Sequence, residues 1–302
     1  MKKNKYIFVF LMLLAISLAG GIFTGAYIHL DGGRQEQKGI HVVTSFYPVY
    51  IAALNVAKGS PGVVLENLSE PQTGCMHDYQ LTPQDMILLS KADLFLVNGG
   101  GIESFLAEVG KSYPQLAIVK ASESLDLPDG ENAHVWMDTR YYAGMVRSIA
   151  EALKKADPAN AELYQANAED YCEEIGKLTE QMEELRESAQ GKSVVIFHEA
   201  YEYVAGELGM DTVYCLDLDE ERQISAHEVA EVLDEISRGR VSVVFAEELY
   251  GKDMGNTVET ETQAKVCYLD ALVRGNYQAD SYLSAVSENI EVLRQAFCNA
   301  DK

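Results

Sequence analysis

The stretch VVIFHEAYEYVAGELGM, residues 194–210, holds the reading that decides the fold. A short apolar run stops at His198, and a helical pattern follows at once over 199–208. A run too short for a helix, followed directly by one, is a βα unit. The same alternation continues downstream, with strands expected at 212–216, 241–246 and 266–269 and helices at 225–238, 252–262 and 281–297. Upstream it gives strands at 40–44, 62–67, 94–97 and 116–119, and helices at 48–58, 83–91, 102–109 and 139–154. Repeated βα units imply parallel sheets covered by helices.

Local signals pin several helix starts. Thr82, Pro83 and Asp85 supply an N-cap, a first-turn proline and an acid at the third position, and Ser225 with Glu228 forms a second capping box. Between the halves, Asp157 and Pro158 open a segment rich in Glu, Ala and Leu that Gly191 closes. Residues 157–190 therefore read as one long helix of roughly 48 Å. A rigid helix, unlike a Gly/Ser linker, holds two lobes at a nearly fixed separation. The expected division is a leader over 1–38, a lobe over 39–156, the linking helix over 157–190 and a second lobe over 191–302.

The bulk properties exclude several classes. A chain of 302 residues, 47% hydrophobic and 24% charged, suits two globular domains. A net charge of −23 leaves no basic stripe to neutralise phosphates, which argues against nucleic acid. Such charge keeps a soluble body off anionic membranes and gathers cations near its rim.

Lys2, Lys3 and Lys5 precede an uncharged run from Tyr6 to Ile28, and the polar stretch DGGRQEQKG, 31–39, follows it. That order describes an export signal. At roughly 34 Å as a helix, residues 6–28 are also long enough to stay in the bilayer as an anchor. The small-residue segment LAGGIFTGA, 18–26, permits cleavage, but no cysteine follows it to carry a lipid. The five cysteines, Cys75, Cys172, Cys215, Cys267 and Cys298, form no CxxC pair. Outside the cytoplasm a bridge is allowed, and Cys267 with Cys298 is the pair to test. Cys75 is expected to pack or to support the site.

Three of the six histidines fall where an expected strand gives way to a loop or helix: His77, His134 and His198. Asp270 does so after the last strand. In open α/β sheets, ligands gather beyond the carboxyl ends of the strands, and three imidazoles with a carboxylate make a tetrahedral zinc site. The four positions lie 57, 64 and 72 residues apart, so only the fold can unite them, in a cleft between the lobes. His29, His41 and His227 read as structural or incidental. Trp136 and Tyr79 read as packing, and Glu199 and Glu247 as acids able to orient imidazoles.

The segments HDYQLTPQD (77–85), HVWMD (134–138), VVIFHEAYEYVAGELGM (194–210) and AKVCYLDAL (264–272) resemble the metal-binding proteins of ABC importers for zinc and manganese. FAEELYG (245–251), ERQISAHEVAEVLDEI (221–236) and SYLSAVSENIEVLRQAF (281–297) extend the resemblance from about residue 40 to the end. It implies two (β/α) lobes joined by a long backbone helix, with metal held between them. It also implies a soluble monomer that delivers the ion to a membrane permease. Carried over motif by motif, the ligands are His77, His134, His198 and Asp270. The last motif often reads LDPL in the family, and Ala271 departs from it without touching the carboxylate. Members with glutamate in place of His198 look like manganese carriers. Three imidazoles and one carboxylate suit zinc better by ligand softness. The acidic segment SESLDLPDGENA, 122–133, has no histidine, unlike the His-rich loop of many zinc members.

Two alternatives remain from the sequence. One is a manganese carrier of the same family. The other is a zinc hydrolase with three histidines, an open water position and Glu199 or Glu247 as base, although no HExxH helix is present.

Overall fold

The computed structural model describes residues 39–70, 74–127, 132–218 and 223–298, together with Met12. The uncharged run 6–28 and His29 lie outside the described residues, apart from Met12. Among the described residues no helix is long and apolar enough to cross a membrane.

Two parallel sheets of four strands form, as the alternation implies. The first contains β1 (Ile40–Thr44), β2 (Val63–Asn67), β3 (Leu94–Val97) and β4 (Ala117–Lys120), in the order β2-β1-β3-β4. The second repeats it with β5 (Ser193–Ile196), β6 (Asp211–Cys215), β7 (Val243–Ala246) and β8 (Lys265–Tyr268), ordered β6-β5-β7-β8. All pairings are parallel. In each sheet the chain leaves the first strand to one side and returns on the other. The ends of β1 and β3, and of β5 and β7, therefore open the crevice where α/β proteins bind ligands.

Helices α1 (Tyr47–Val56), α2 (Pro83–Leu89), α3 (Leu106–Ser112) and α4 (Thr139–Ala156) belong to the first half. Helices α6 (Tyr201–Glu207), α7 (Ala226–Gly239), α8 (Glu248–Glu261) and α9 (Ser281–Cys298) belong to the second. Both expected capping boxes close, at Thr82 with Asp85 and at Ser225 with Glu228.

The linking helix α5 (Ala161–Ala189) has 29 residues, so it runs roughly 44 Å. It begins later than the Asp157–Pro158 signature implies, because Pro158–Asn160 form a 3-10 turn. The Asp157 carboxylate is engaged by Asn160 Nδ2 at 2.6 Å and the Tyr164 hydroxyl at 2.7 Å, and it caps no helical N–H. Gly191 ends the segment at φ +73°, where a residue with a Cβ would be strained. The buried face of α5 carries Tyr164, Ala168, Tyr171, Ile175, Leu178, Met182 and Leu185, spaced for one stripe.

The largest core cluster draws on both halves, from Val42 to Phe297. Its centre is aromatic. Trp136 donates its indole N–H to the Ala271 carbonyl at 3.0 Å, and the Tyr282 hydroxyl donates to the Trp136 carbonyl at 2.7 Å. Tyr142 and Tyr282 stack with ring centroids 3.6 Å apart. Tyr142 in turn donates to the Pro48 carbonyl at 3.0 Å. Buried tyrosine and tryptophan need partners for their polar tips, and here each partner lies on another element. Residues from Ile40 onward accordingly form one compact unit. No disulfide joins the five cysteines, so the Cys267–Cys298 bridge does not form.

Candidate metal centre

Three loops bring the candidate donors together. Cys75 and His77 lie on the segment between β2 and α2, which Thr82 and Asp85 anchor at its far end. Tyr79 reinforces the anchor by donating to the Asp85 carboxylate at 3.0 Å. His134 precedes a 3-10 turn, Val135–Met137, that leads into α4. His198 follows β5 by two residues, and its carbonyl accepts the Tyr201 N–H at 3.1 Å as α6 begins. The three histidines thus arrive from the carboxyl ends of β2, β4 and β5.

His134 is wholly buried and His198 nearly so. The His134 ring centroid lies 5.0 Å from that of His77 and 4.8 Å from that of His198. His134 Nε2 is 3.2 Å from His77 Nε2 and 3.4 Å from Cys75 Sγ. Burial, and after it the charges of His198 and His77, hold the His134 pKa well below the ordinary histidine value. The ring is therefore neutral at physiological pH, as a metal ligand must be.

The tautomer of His134 follows from its neighbours. The Asn132 amide nitrogen donates to the Glu199 carbonyl at 2.8 Å and to the Glu202 carboxylate at 2.9 Å. This orients the Asn132 oxygen toward His134, 2.9 Å from Nδ1. Nδ1 must then carry the proton, and Nε2 presents its lone pair to His77 and Cys75. Such a partner behind an imidazole is a common device at metal sites. Glu199 sits on the Nδ1 side as well, 3.4 Å away, and 3.7 Å from His77 Nε2.

Two groups of donors lie within 4.8 Å of one another among the described residues: Cys75, His134 and His198, and His77, His134 and Glu199. They share His134. Asp270 is in neither group. Its carboxylate accepts the Leu272 N–H at 2.6 Å, and Asn289 grips its backbone through two hydrogen bonds. Asp270 lines a pocket of about 310 Å³ with Glu247, Arg274 and Asn289. There Glu247 pairs with Arg274 at 2.6 Å. Trp136 is packing, as expected, but it also ties the His134 loop to the Asp270 turn through Ala271. His41 pairs with Glu66, and the exposed His227 lies 3.3 Å from Glu231, both away from the cluster.

The sequence carries no expectation for Asn132, and for Cys75 only that it packs or supports the site. Each stands two residues before a candidate histidine, a spacing at which a side chain can share its neighbour's surroundings.

Two α/β halves, one bridging helix and imidazoles converging at the strand ends define a metal-binding substrate-binding protein. The chain belongs to the family of ZnuA, the periplasmic zinc-uptake complex component A, whose model matches residues 42–296. It is 28% identical over 303 residues to the manganese-binding lipoprotein MntA of Halalkalibacterium halodurans, across 96% of this chain and 97% of that one. It is 30% identical over 298 residues to the iron-binding protein YfeA of Yersinia pestis, across 94% and 95%. The Zn(II)-bound ZnuA-like domain of Streptococcus pneumoniae AdcA superposes with a TM-score of 0.74 at 25% identity, covering 86% of this chain and 99% of that domain.

Proposed function

We propose that the protein captures one zinc ion outside the cytoplasm and passes it to an ABC permease in the membrane, without catalysing a reaction. The observation that carries this reading is the convergence of three imidazoles, with His134 neutral and its Nε2 facing His77 at 3.2 Å. A tetrahedral zinc with Zn–N bonds of about 2.0–2.1 Å requires N···N edges of roughly 3.4 Å. The His77–His134 separation fits such an edge.

In this reading His77, His134 and His198 supply nitrogen, and the fourth position has two claimants, Asp270 and Cys75. The net charge of −23 draws divalent cations toward the rim. Residues 39–156 and 191–302 act as the two lobes, 157–190 as the strut, and residues 6–28 as export signal or anchor. The protein acts as a monomer. A manganese cargo is the second reading, favoured by the likeness to MntA. The relatives named above are binding proteins, and none is a hydrolase.

Calorimetric titration of the metal-stripped protein with zinc and with manganese tests the proposal. Tight one-to-one zinc binding with weaker manganese is the expected result. Preference for manganese overturns the choice of metal, and failure to bind either overturns the site.

A further inference from the structure

Resting on the metal-capture reading, we propose that Cys75 is a direct thiolate ligand of the bound ion, so that the centre is three imidazoles and one sulfur rather than three imidazoles and Asp270. The juxtaposition behind it is Cys75 Sγ at 3.4 Å from the lone-pair nitrogen of His134.

The geometry is that of a coordination edge. Zinc bonds of about 2.3 Å to sulfur and 2.0–2.1 Å to nitrogen, at tetrahedral angles, place S and N roughly 3.6 Å apart. The neighbouring N···N edge, at 3.2 Å, is also close to its tetrahedral value of roughly 3.4 Å. Sγ, His134 and His198 donor atoms lie together within 4.8 Å. Asn132 holds the His134 proton on Nδ1, which leaves the Nε2 lone pair on the side where Sγ lies at 3.4 Å.

The rival carboxylates are placed differently. Glu199 approaches His134 from the Nδ1 side, the side that Asn132 already occupies. Asp270 spends an oxygen on the Leu272 N–H at 2.6 Å and belongs to neither donor group. As the sulfur–metal bond forms, the thiol proton passes to solvent and the ion exchanges a water for the thiolate.

The consequence is selectivity. Replacing a hard carboxylate by a thiolate favours zinc and other thiophilic ions and disfavours manganese, whose preferred donors are oxygen.

The test uses the full-length, metal-stripped protein with cobalt(II) as the probe, followed by zinc and manganese titrations. Wild type should show an intense near-ultraviolet sulfur-to-cobalt charge-transfer band that saturates at one equivalent. Cys75→Ser should lose the band and weaken zinc by at least about 10–100-fold, the range known for even an orienting partner of a ligand. Its preference for zinc over manganese should shrink, while Asp270→Asn keeps the band. Cobalt binding without the band, or unchanged zinc affinity in Cys75→Ser, overturns the thiolate and leaves the capture reading standing. No binding of cobalt or zinc by wild type overturns both.

Discussion

The Asn132 carboxamide joins the two halves beside the histidine cluster: its oxygen lies 2.9 Å from His134 Nδ1, and its nitrogen donates to Glu199 and Glu202 on the other side. The Tyr203 hydroxyl adds a bond to the Asn132 carbonyl at 2.8 Å. One residue therefore sets a tautomer and fastens the facing loop. Asn132→Ala should weaken zinc by about 10–100-fold while the protein stays folded, because Nδ1 loses its acceptor. Isothermal titration and circular dichroism of the variant check it, and wild-type affinity would contradict the role assigned to Asn132.

His198 is nearly buried, beside His134. His198→Ala is expected to retain the fold and to lose at least about 100-fold in zinc affinity, or roughly 2.8 kcal/mol. A competition assay against a chelator of known strength measures the loss. Unchanged affinity removes His198 from the centre.

Glu207 makes stability depend on pH. Burial, and after it the negative charge of Asp138, pushes its carboxyl up to about 7 from 4.5, against the hydrogen bonds from Thr139. A group with a raised native pKa holds its proton more firmly in the folded state. Its contribution is complete below about pH 4.5 and disappears as pH rises through about 7, a change of about 3 kcal/mol. His134, held neutral, tilts the other way below about pH 6.5. The difference between Glu207→Gln and wild type isolates the carboxyl. Urea unfolding across this range should show the variant gaining relative stability as pH rises, and parallel curves would refute the assignment.

The aromatic centre sets the cohesion of the halves. Tyr282→Phe removes the donor to the Trp136 carbonyl and leaves the stack on Tyr142 in place. A cost of about 1–3 kcal/mol is expected for leaving a buried acceptor unmatched. Trp136→Ala should cost about 3–5 kcal/mol, the range for deleting a large buried ring. Denaturant midpoints with unchanged m-values report both losses.

Much of this architecture is legible in the sequence because its signals are local. Thr82 with Asp85, and Ser225 with Glu228, name two helix starts that the structure reproduces. Strands such as Leu94–Val97 are short apolar runs with nothing to confuse them. Asp157 does not start the helix because its carboxylate is taken by Asn160 and Tyr164, three and seven residues on, rather than by helical amides. The histidine cluster was legible because strand ends are where α/β sheets bind. Asn132 was not, since its role depends on Glu199 and Glu202, 67 and 70 residues away, which fix which way its amide faces. Cys75 was not legible as a donor, since its place beside His134, 59 residues away, is set by the fold alone.

The bonds from Trp136 to Ala271 and from Tyr282 to Trp136 have a kinetic consequence. With the halves fastened beneath the cluster, an ion cannot leave by a wide opening of the molecule without disrupting a packed core. On the proposed capture reading, exchange would run through the short segment carrying Cys75 and His77, where the His77 side chain is one-third exposed. Loops of that size rearrange in nanoseconds to microseconds. On that reading, residence time would follow how firmly one turn is latched, and residues between β2 and α2 would tune it without altering the stability of the whole.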